Sequence, residues 1–397
     1  EITKAVITGI TFVDGSFTYD GTAKSLAITG TLPAGVAVSY TGNGQTAAGV
    51  YTVTATINGG GNYEDQTLTA QLTINKTAIA GISFAGASFD YDGTAKSLAI
   101  TGNLPAGVTV SYTGNAQTNA GTYTVTAKIN GGTTYEDQSL TATLTINKAT
   151  IIGISLADAN FSYDGTAKSL AITGTLPAGA TVTYTGNNNS NAGAYIVTAN
   201  INGGKNYQNQ TLSASLTISK VPLTITANNA SMCQGSNLPN FTASYSGFKN
   251  GENQSNLTTR PILSTTTSSS SAAGSYVITA GGASSTNYEI TYVSGSLTIN
   301  ALPTVSINSN GINSISKGTT ITLTATGGTN YTWTGEGIIA GQGSSVLTIR
   351  PEKSGTYTVR VTNANGCSSE QSFALTVNED FKGLIANNIL TPNGDGY

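Results

Sequence analysis

The chain has 397 residues, enough for two to four domains of ordinary size, and a formal net charge of only −3. Charged residues make up 9% of it, against about a quarter in an average soluble protein, and none is histidine. The weak, scattered charge argues against a phosphate-binding surface and so against nucleic acid, and the missing histidine excludes a Ser-His-Asp or Cys-His arrangement within the chain.

The 48 glycines, with Thr, Ser and Asn filling most polar positions, suit strand faces and tight turns and suit helices poorly. No apolar run approaches the roughly 18 residues needed to span a bilayer, so membrane insertion is not expected. The first residue is Glu1 and the only methionine is Met232. Both ends are therefore expected to be cut, and the lack of a signal peptide says nothing about secretion.

In chain order, residues 1–4 read as the end of a preceding module, and three close copies follow at 5–76, 77–148 and 149–220. Tyr-Asp-Gly-Thr-Ala-Lys-Ser-Leu-Ala-Ile-Thr-Gly begins at Tyr19, Tyr91 and Tyr163, a period of 72 residues without insertion. Leu-Pro-Ala-Gly follows at Leu32, Leu104 and Leu176, and Tyr-Thr-Gly-Asn at Tyr40, Tyr112 and Tyr184. Lys4, Lys76, Lys148 and Lys220 each precede a new module. A fixed period of this kind denotes a tandem array. A divergent fourth module at 221–300 keeps the late spacing, with Tyr276, Tyr288 and Leu297 matching Tyr51, Tyr63 and Leu72, and carries an insertion-like Ser/Thr tract around 264–271. A fifth module, 301–378, differs again, and 379–397 is a linker with the start of something further.

The local period is two. Tyr51, Val53, Ala55 and Ile57 alternate with Thr52, Thr54 and Thr56, the pattern of an antiparallel strand with its core on one face. Gly-Asn, Asp-Gly and Gly-Gly pairs separate such segments, and no helix is predicted. Gly-x-Tyr followed by an apolar alternation recurs in every module, at Tyr51, Tyr123, Tyr195, Tyr276 and Tyr357. It resembles the tyrosine corner of immunoglobulin-like sandwiches, and Trp333 is placed where a tryptophan could pack between two sheets. The expected fold is all-β: a tandem array of five small antiparallel β-sandwich (Ig-like) domains. A small β-grasp or other meander also fits the close copies.

The Tyr-Asp-Gly-Thr-Ala-Lys copies resemble the glycine-rich MBG or YDG repeats of bacterial surface proteins. The fourth module is similar to a second MBG type through Pro222-Leu-Thr-Ile-Thr226, Ser244-Tyr-Ser-Gly-Phe248 and Ala273-Gly-Ser-Tyr276, and departs from it at Met232-Cys-Gln-Gly235, where a Tyr-Gly turn is usual. The fifth resembles Ig-like or PKD-like modules of secreted Bacteroidota proteins through Tyr331-Thr-Trp333 and Val361-Thr-Asn-Ala-Asn-Gly-Cys367. In that resemblance the cysteine often pairs with one near residue 316; Ser316 stands here, which puts that bridge in doubt. Ala386-Asn-Asn-Ile-Leu-Thr-Pro-Asn-Gly-Asp-Gly396 looks like the opening of a gliding-motility-associated C-terminal domain, a type B sorting signal of the type IX secretion system. The resemblance assigns the sorting motif to Asn388, Thr391, Pro392, Asn393, Gly394, Asp395 and Gly396. It implies a cell-surface adhesin related to SprB-like gliding adhesins, with the type IX translocon and a PorP/SprF-like outer-membrane anchor as partners.

Candidate sites are few. Glu64-Asp65 and Glu136-Asp137 could pair for acid–base work or bind calcium, but the third copy has Gln208-Asn209 there, so a solvated loop is expected. Asp20, Asp92 and Asp164 are expected to close Asp-Gly turns. Lys24, Lys96 and Lys168, considered as isopeptide lysines, are expected instead to be exposed and to discourage edge pairing. Cys233 and Cys367 fall in different modules, which seldom bring two Cα atoms within about 7 Å, so two separate thiols are expected. Asn393 and Asp395 could begin a calcium turn, but no further ligand follows. No catalytic residue, cofactor or metal is expected. Most of the 19 tyrosines occupy core-facing strand positions, so a display of aromatic rings for glycans is not expected. Two functional classes remain: a non-catalytic spacer that holds an adhesive region away from the cell, or modules that themselves bind a surface glycan or protein, including as appendages of a secreted enzyme.

Overall fold

The computed structural model describes residues 1–379. The sorting motif from Asn388 to Gly396 therefore lies outside the described residues. Packing divides the chain into two units. The first holds Glu1–Ala157, Leu170–Asn187 and Ile196–Ala214; the second holds Asp158–Ser169, Asn188–Tyr195 and the described residues from Ser215.

Copy one contains β1 (Gly15–Thr18), β2 (Ala37–Thr41), β3 (Gly49–Asn58) and β4 (Gln66–Asn75) in one sheet ordered β1-β4-β3-β2. The alternating residues behave as their pattern requires: Val53, Ala55, Ile57 and Leu72 are wholly buried, while the intervening threonines face outward or sit at the rim. β3 pairs antiparallel with both neighbours. β1 lies parallel to β4, Gly15 opposite Leu72 and Thr18 opposite Asn75. An all-antiparallel sheet was expected; the parallel edge arises because the first strand is added beside the last. Copy two repeats the arrangement with β5 (Ala87–Asp90), β6 (Thr109–Thr113), β7 (Gly121–Asn130) and β8 (Gln138–Asn147), and copy three with β9 (Ala159–Ser162), β10 (Thr181–Thr185), β11 (Gly193–Asn202) and β12 (Gln210–Ser219).

The other layer of copy one is the extended segment around Leu26, which with Phe12 covers the apolar face, where Phe17 and Tyr40 of the sheet also pack. Single backbone bridges hold the segment at Lys24 with Gln45 and at Thr29 with Thr11, and between them side chains supply the hydrogen bonds. Asn43 accepts from the Leu26 amide at 2.8 Å and donates to its carbonyl at 2.7 Å, and the Tyr40 hydroxyl accepts from the Ile28 amide at 2.9 Å. Asn115 with Tyr112, and Asn187 with Tyr184, do the same in the other copies. This explains the Tyr-Thr-Gly-Asn motif. Its glycine, Gly42, has φ +77°, and a Cβ there would lie 2.4 Å from the Thr52 carbonyl oxygen.

The fourth module has two sheets. Their strands are β13 (Val221–Ala227), β14 (Ala230–Cys233), β15 (Ala243–Ser246), β16 (Ile262–Ser264), β17 (Gly274–Gly281), β18 (Tyr288–Val293) and β19 (Gly295–Asn300), ordered β15-β13-β18 and β14-β19-β17-β16. β14 is parallel to β19, with Cys233 opposite Asn300, the counterpart of Thr18 opposite Asn75. The expected Ser/Thr insertion around 264–271 begins at the last residue of β16 and forms the turn segment that leads to β17.

The fifth module is a two-sheet sandwich built from β20 (Ser306–Asn308), β21 (Ser314–Ser316), β22 (Ile321–Thr326), β23 (Asn330–Thr334), β24 (Ile338–Ala340), β25 (Val346–Ile349), β26 (Gly355–Thr362) and β27 (Ser368–Asn378). The sheets are ordered β20-β22-β25-β24 and β21-β27-β26-β23. Trp333 is fully buried between them against Leu323, Leu347 and Val359, and its Nε1 donates to the Ser344 carbonyl at 2.9 Å.

The tyrosine corners are present in four modules. The hydroxyls of Tyr51, Tyr123, Tyr195 and Tyr276 each donate to the carbonyl four residues earlier, at 2.8–2.9 Å. Tyr357 differs: its ring is 1% exposed and its hydroxyl reaches the Glu336 carbonyl, 21 residues back.

The cores of copy one and of the fifth module are separate clusters, so damage to the first should leave the second intact. Leu72→Ala should destabilise copy one by about 2–5 kcal/mol. Calorimetry should show one lowered transition, while the fluorescence midpoint of Trp333, the single tryptophan, stays unchanged.

Candidate functional site

The repeated Asp-Gly-Thr-Ala-Lys segment forms a closed polar turn. Asp20 Oδ1 accepts from the Thr22 amide at 2.9 Å and the Thr22 hydroxyl at 2.6 Å, and Oδ2 lies 2.5 Å from Lys24 Nζ. Asp92 with Lys96 and Asp164 with Lys168 repeat this geometry. The turn is as expected for the aspartates, but the lysines correct the expectation of exposed edge guards. The Lys24 side chain is only 17% exposed, because its aliphatic stem lies along the module and its ammonium is held by Asp20. Lys96 and Lys168 also sit 5.8 Å from the ring centres of Phe89 and Phe161. The lysine ammonium, then the threonine, holds each aspartate well below the ordinary carboxylate range. A carboxylate so held is a poor partner for amide formation, which needs it protonated.

Glu64 and Asp65 are both exposed, as a solvated loop requires, and Asp65 has in addition a specific task in the turn. Its Oδ1 accepts from the Gly59 amide at 2.8 Å and closes the turn between β3 and β4. Asp137 does the same for Gly131, and Asn209 for Gly203 at 3.0 Å. Asparagine can replace aspartate because the turn needs an acceptor and not a charge. Among the described residues, no three His, Cys, Asp or Glu side chains cluster to hold a metal. In copies two and three, clefts of about 560 and 420 Å³ open at the sheet end, lined by such residues as Thr109, Lys128 and Asp137, or Thr181, Asn200 and Asn209. No aromatic ring lines either one, so neither offers a stacking platform for a sugar.

The joints are the repeated contacts between neighbouring modules. Tyr19 of copy one meets Tyr135 of copy two edge-on at 5.5 Å between ring centres, and Tyr91 meets Tyr207 at 5.4 Å. Tyr163 meets Tyr288 at 5.5 Å. At this third joint Glu252 accepts from both phenols at 2.5 Å. Burial, then Glu252, pushes Tyr288 up to about 12 and raises Tyr163 further. Asn206 bonds the Ala120 amide at 2.9 Å and Asn119 at 3.2 Å, and Asn287 bonds Ala192 and Asn191 likewise. Ala47 and Thr134 occupy these positions at the first joint, and neither carries an amide. The joint lysines latch each entering segment to its own module: Lys4 to the Gly60 carbonyl, Lys76 to Gly132, Lys148 to Gly204 and Lys220 to Ser285, at 2.7–2.9 Å. Tyr19 and Tyr135 belong to repeated positions that the sequence shows, but nothing in the sequence named them as partners.

The profile of the family described as MBG domain matches residues 8–78, 80–150 and 153–222. The chain belongs to the MBG-domain family. A second profile, MBG domain (YGX type), matches residues 223–298. None of the curated proteins compared with the chain matches it. Similar solved structures include Sidekick-1 immunoglobulin domains 1–5, at 11% identity over 94% of this chain and 99% of that one, with a TM-score of 0.21. The human desmocollin-1 ectodomain matches at 8% identity over 95% and 98%, with a TM-score of 0.22. Drosophila N-cadherin EC1–3 matches at 13% over 57% and 98%, with a TM-score of 0.24.

Between the YGX-type MBG module and the fifth module the joint is covalent. Cys233 and Cys367 form a disulfide with Cα atoms 5.5 Å apart, which corrects the expectation of two separate thiols. The cause is the parallel pairing of β14 with β19. It carries Cys233, early in its module, to the exit end beside Asn300, where the next module begins. The Gln234 amide donates to the Asn300 carbonyl as the amides of Tyr19, Tyr91 and Tyr163 donate to those of Asn75, Asn147 and Ser219. Gln234 thus stands in the position of the joint tyrosine, and the adjacent cysteine makes the connection. Asn363 reinforces it by donating to the Ala301 carbonyl at 3.0 Å.

The lowered aspartate pKa values imply a direction in pH. Stability from these carboxylates is complete above their unfolded pKa of about 3.9 and is lost as pH falls through the lower folded value. The MBG repeats should therefore lose melting temperature below about pH 4, and Asp20→Asn, Asp92→Asn and Asp164→Asn together should flatten that slope. In the β3–β4 turn, Asp65→Asn should leave the melting temperature nearly unchanged. Asp65→Ala should destabilise copy one by about 1–2 kcal/mol, because the Gly59 amide loses its acceptor.

Proposed function

We propose that this chain is a non-catalytic spacer within a large secreted cell-surface adhesin. The recurring joint carries the proposal: the same tyrosine pair and the same lysine latch appear at fixed spacing, so the array supplies length through like surfaces. Modules of roughly 70–80 residues bury modest cores, and contact with neighbours contributes to their stability, as in other repeat arrays. The tail supports a finer assignment. Asn388-Ile-Leu-Thr-Pro-Asn-Gly-Asp395 resembles the opening of a type B sorting domain, which would send the parent across the outer membrane of a Bacteroidota cell through the type IX system. There it would meet a PorP/SprF-like anchoring partner and serve surface adhesion or gliding.

A spacer changes length with its module number. Deleting residues 77–148 joins copy one to copy three in register, so Tyr19 should meet Tyr207. Small-angle scattering should then show a maximum dimension shorter by one module, roughly 25–35 Å. An unchanged dimension would overturn the spacer assignment. The sorting assignment has its own test. Truncating the parent at Ala386 should leave it inside the cell with its repeats folded, and surface display of the truncated protein would sink that assignment alone.

A further inference from the structure

The disulfide lies across the route by which tension would pass through the last two modules. Cys233 ends β14, the second strand of its module, and Cys367 immediately precedes β27, the last strand of the next. The two are 134 positions apart in sequence and 5.5 Å apart in space. A pull arriving along β13 and β14 crosses the bridge and leaves along β27. The 133 residues between the cysteines lie outside that route; they include β15 to β26 and most of both cores.

We infer that the bridge is a mechanical bypass, which lets modules four and five carry load without unravelling. This use rests on the spacer function proposed above. Three observations support it. The bridge occupies the joint position: Cys233 faces Asn300 as Thr18 faces Asn75, and Gln234 replaces the tyrosine that makes the other joints. Cys367 is 1% exposed, which shields its sulfur from thiols in the folded state. The peptide connection at the same boundary is short, from Asn300 to Ser306, so the covalent link runs beside an existing one and adds no reach. At the three tyrosine joints, by contrast, every residue of the neighbouring modules remains on the line of pull.

The test is single-molecule stretching of the full chain held at its two ends. Without reductant, unfolding of modules four and five should release only the strands outside the bridge. With dithiothreitol present, bridge cleavage after those strands detach should release a further length of roughly 440–480 Å, the extended span of 133 residues. Cys233→Ser with Cys367→Ser should give two ordinary module unfolding events with or without reductant. Full release from the oxidised wild-type chain would overturn the bypass. So would a non-reducing peptide digest lacking the Cys233–Cys367 pair, a result that does not depend on any variant folding. Neither measurement depends on scattering dimensions, so failure here and failure of the spacer assignment are separable.

Discussion

The parallel pairing of an early short strand of each module with the module's last strand governs much of this structure. A chain entering at one end of an antiparallel sandwich ordinarily leaves its early residues near that end. Here β1 runs beside β4 in the same direction, so Thr18 and Tyr19 arrive at the exit, level with Asn75. Residues from the first third of a module thereby become the surface that meets the next module. The same topology serves two chemistries: an aromatic edge contact in the three close copies, and a sulfur–sulfur bond in the fourth module.

Small cores impose a second constraint. A sheet of four strands needs a cover, and the cover segment around Leu26 is not a regular strand along its length. Between its two backbone bridges, the Leu26 amide and carbonyl and the Ile28 amide would be left unpaired if backbone were their only source of partners. Asn43 answers with both ends of its amide, and Tyr40 with its hydroxyl. Such uncharged donors and acceptors suit a chain with few charged residues, since they pair in a half-buried setting without the desolvation penalty of an ion. Where an ion pair repeats, as in Asp20 with Lys24, Asp92 with Lys96 and Asp164 with Lys168, the partners stand four residues apart.

Much of the fold was legible in the sequence because its signals are periodic: alternation of two within Tyr51 to Ile57, and a period of 72 between copies. The Asp20 turn and the burial of Trp333 were legible too. Less legible were features in which one residue type serves an unexpected end. The exchange of Asp65 and Asp137 for Asn209 looked like lost charge, whereas the turn uses only an oxygen. Lys24 looked like a solvent-facing cation, though Asp20 four positions earlier was available to cover it. The cysteines were misjudged for a topological reason. Counting modules places Cys233 far from the fifth, and only the parallel register of β14 against β19 shows otherwise. The joint tyrosines likewise face partners more than a module away, and alternation carries no information about such distances.

The closing of each sheet also sets an order of events in time. Gly15 pairs with Leu72, 57 residues later, so copy one lacks its edge until nearly all of it is available. Contacts of such long sequence separation make folding slow relative to chains with local contacts. A chain threaded through a pore, from either end, would hold each module open until its final segment emerged and would then close it as a unit. Completed modules would accumulate one at a time on the far side, and the step size of that process would be the repeat itself.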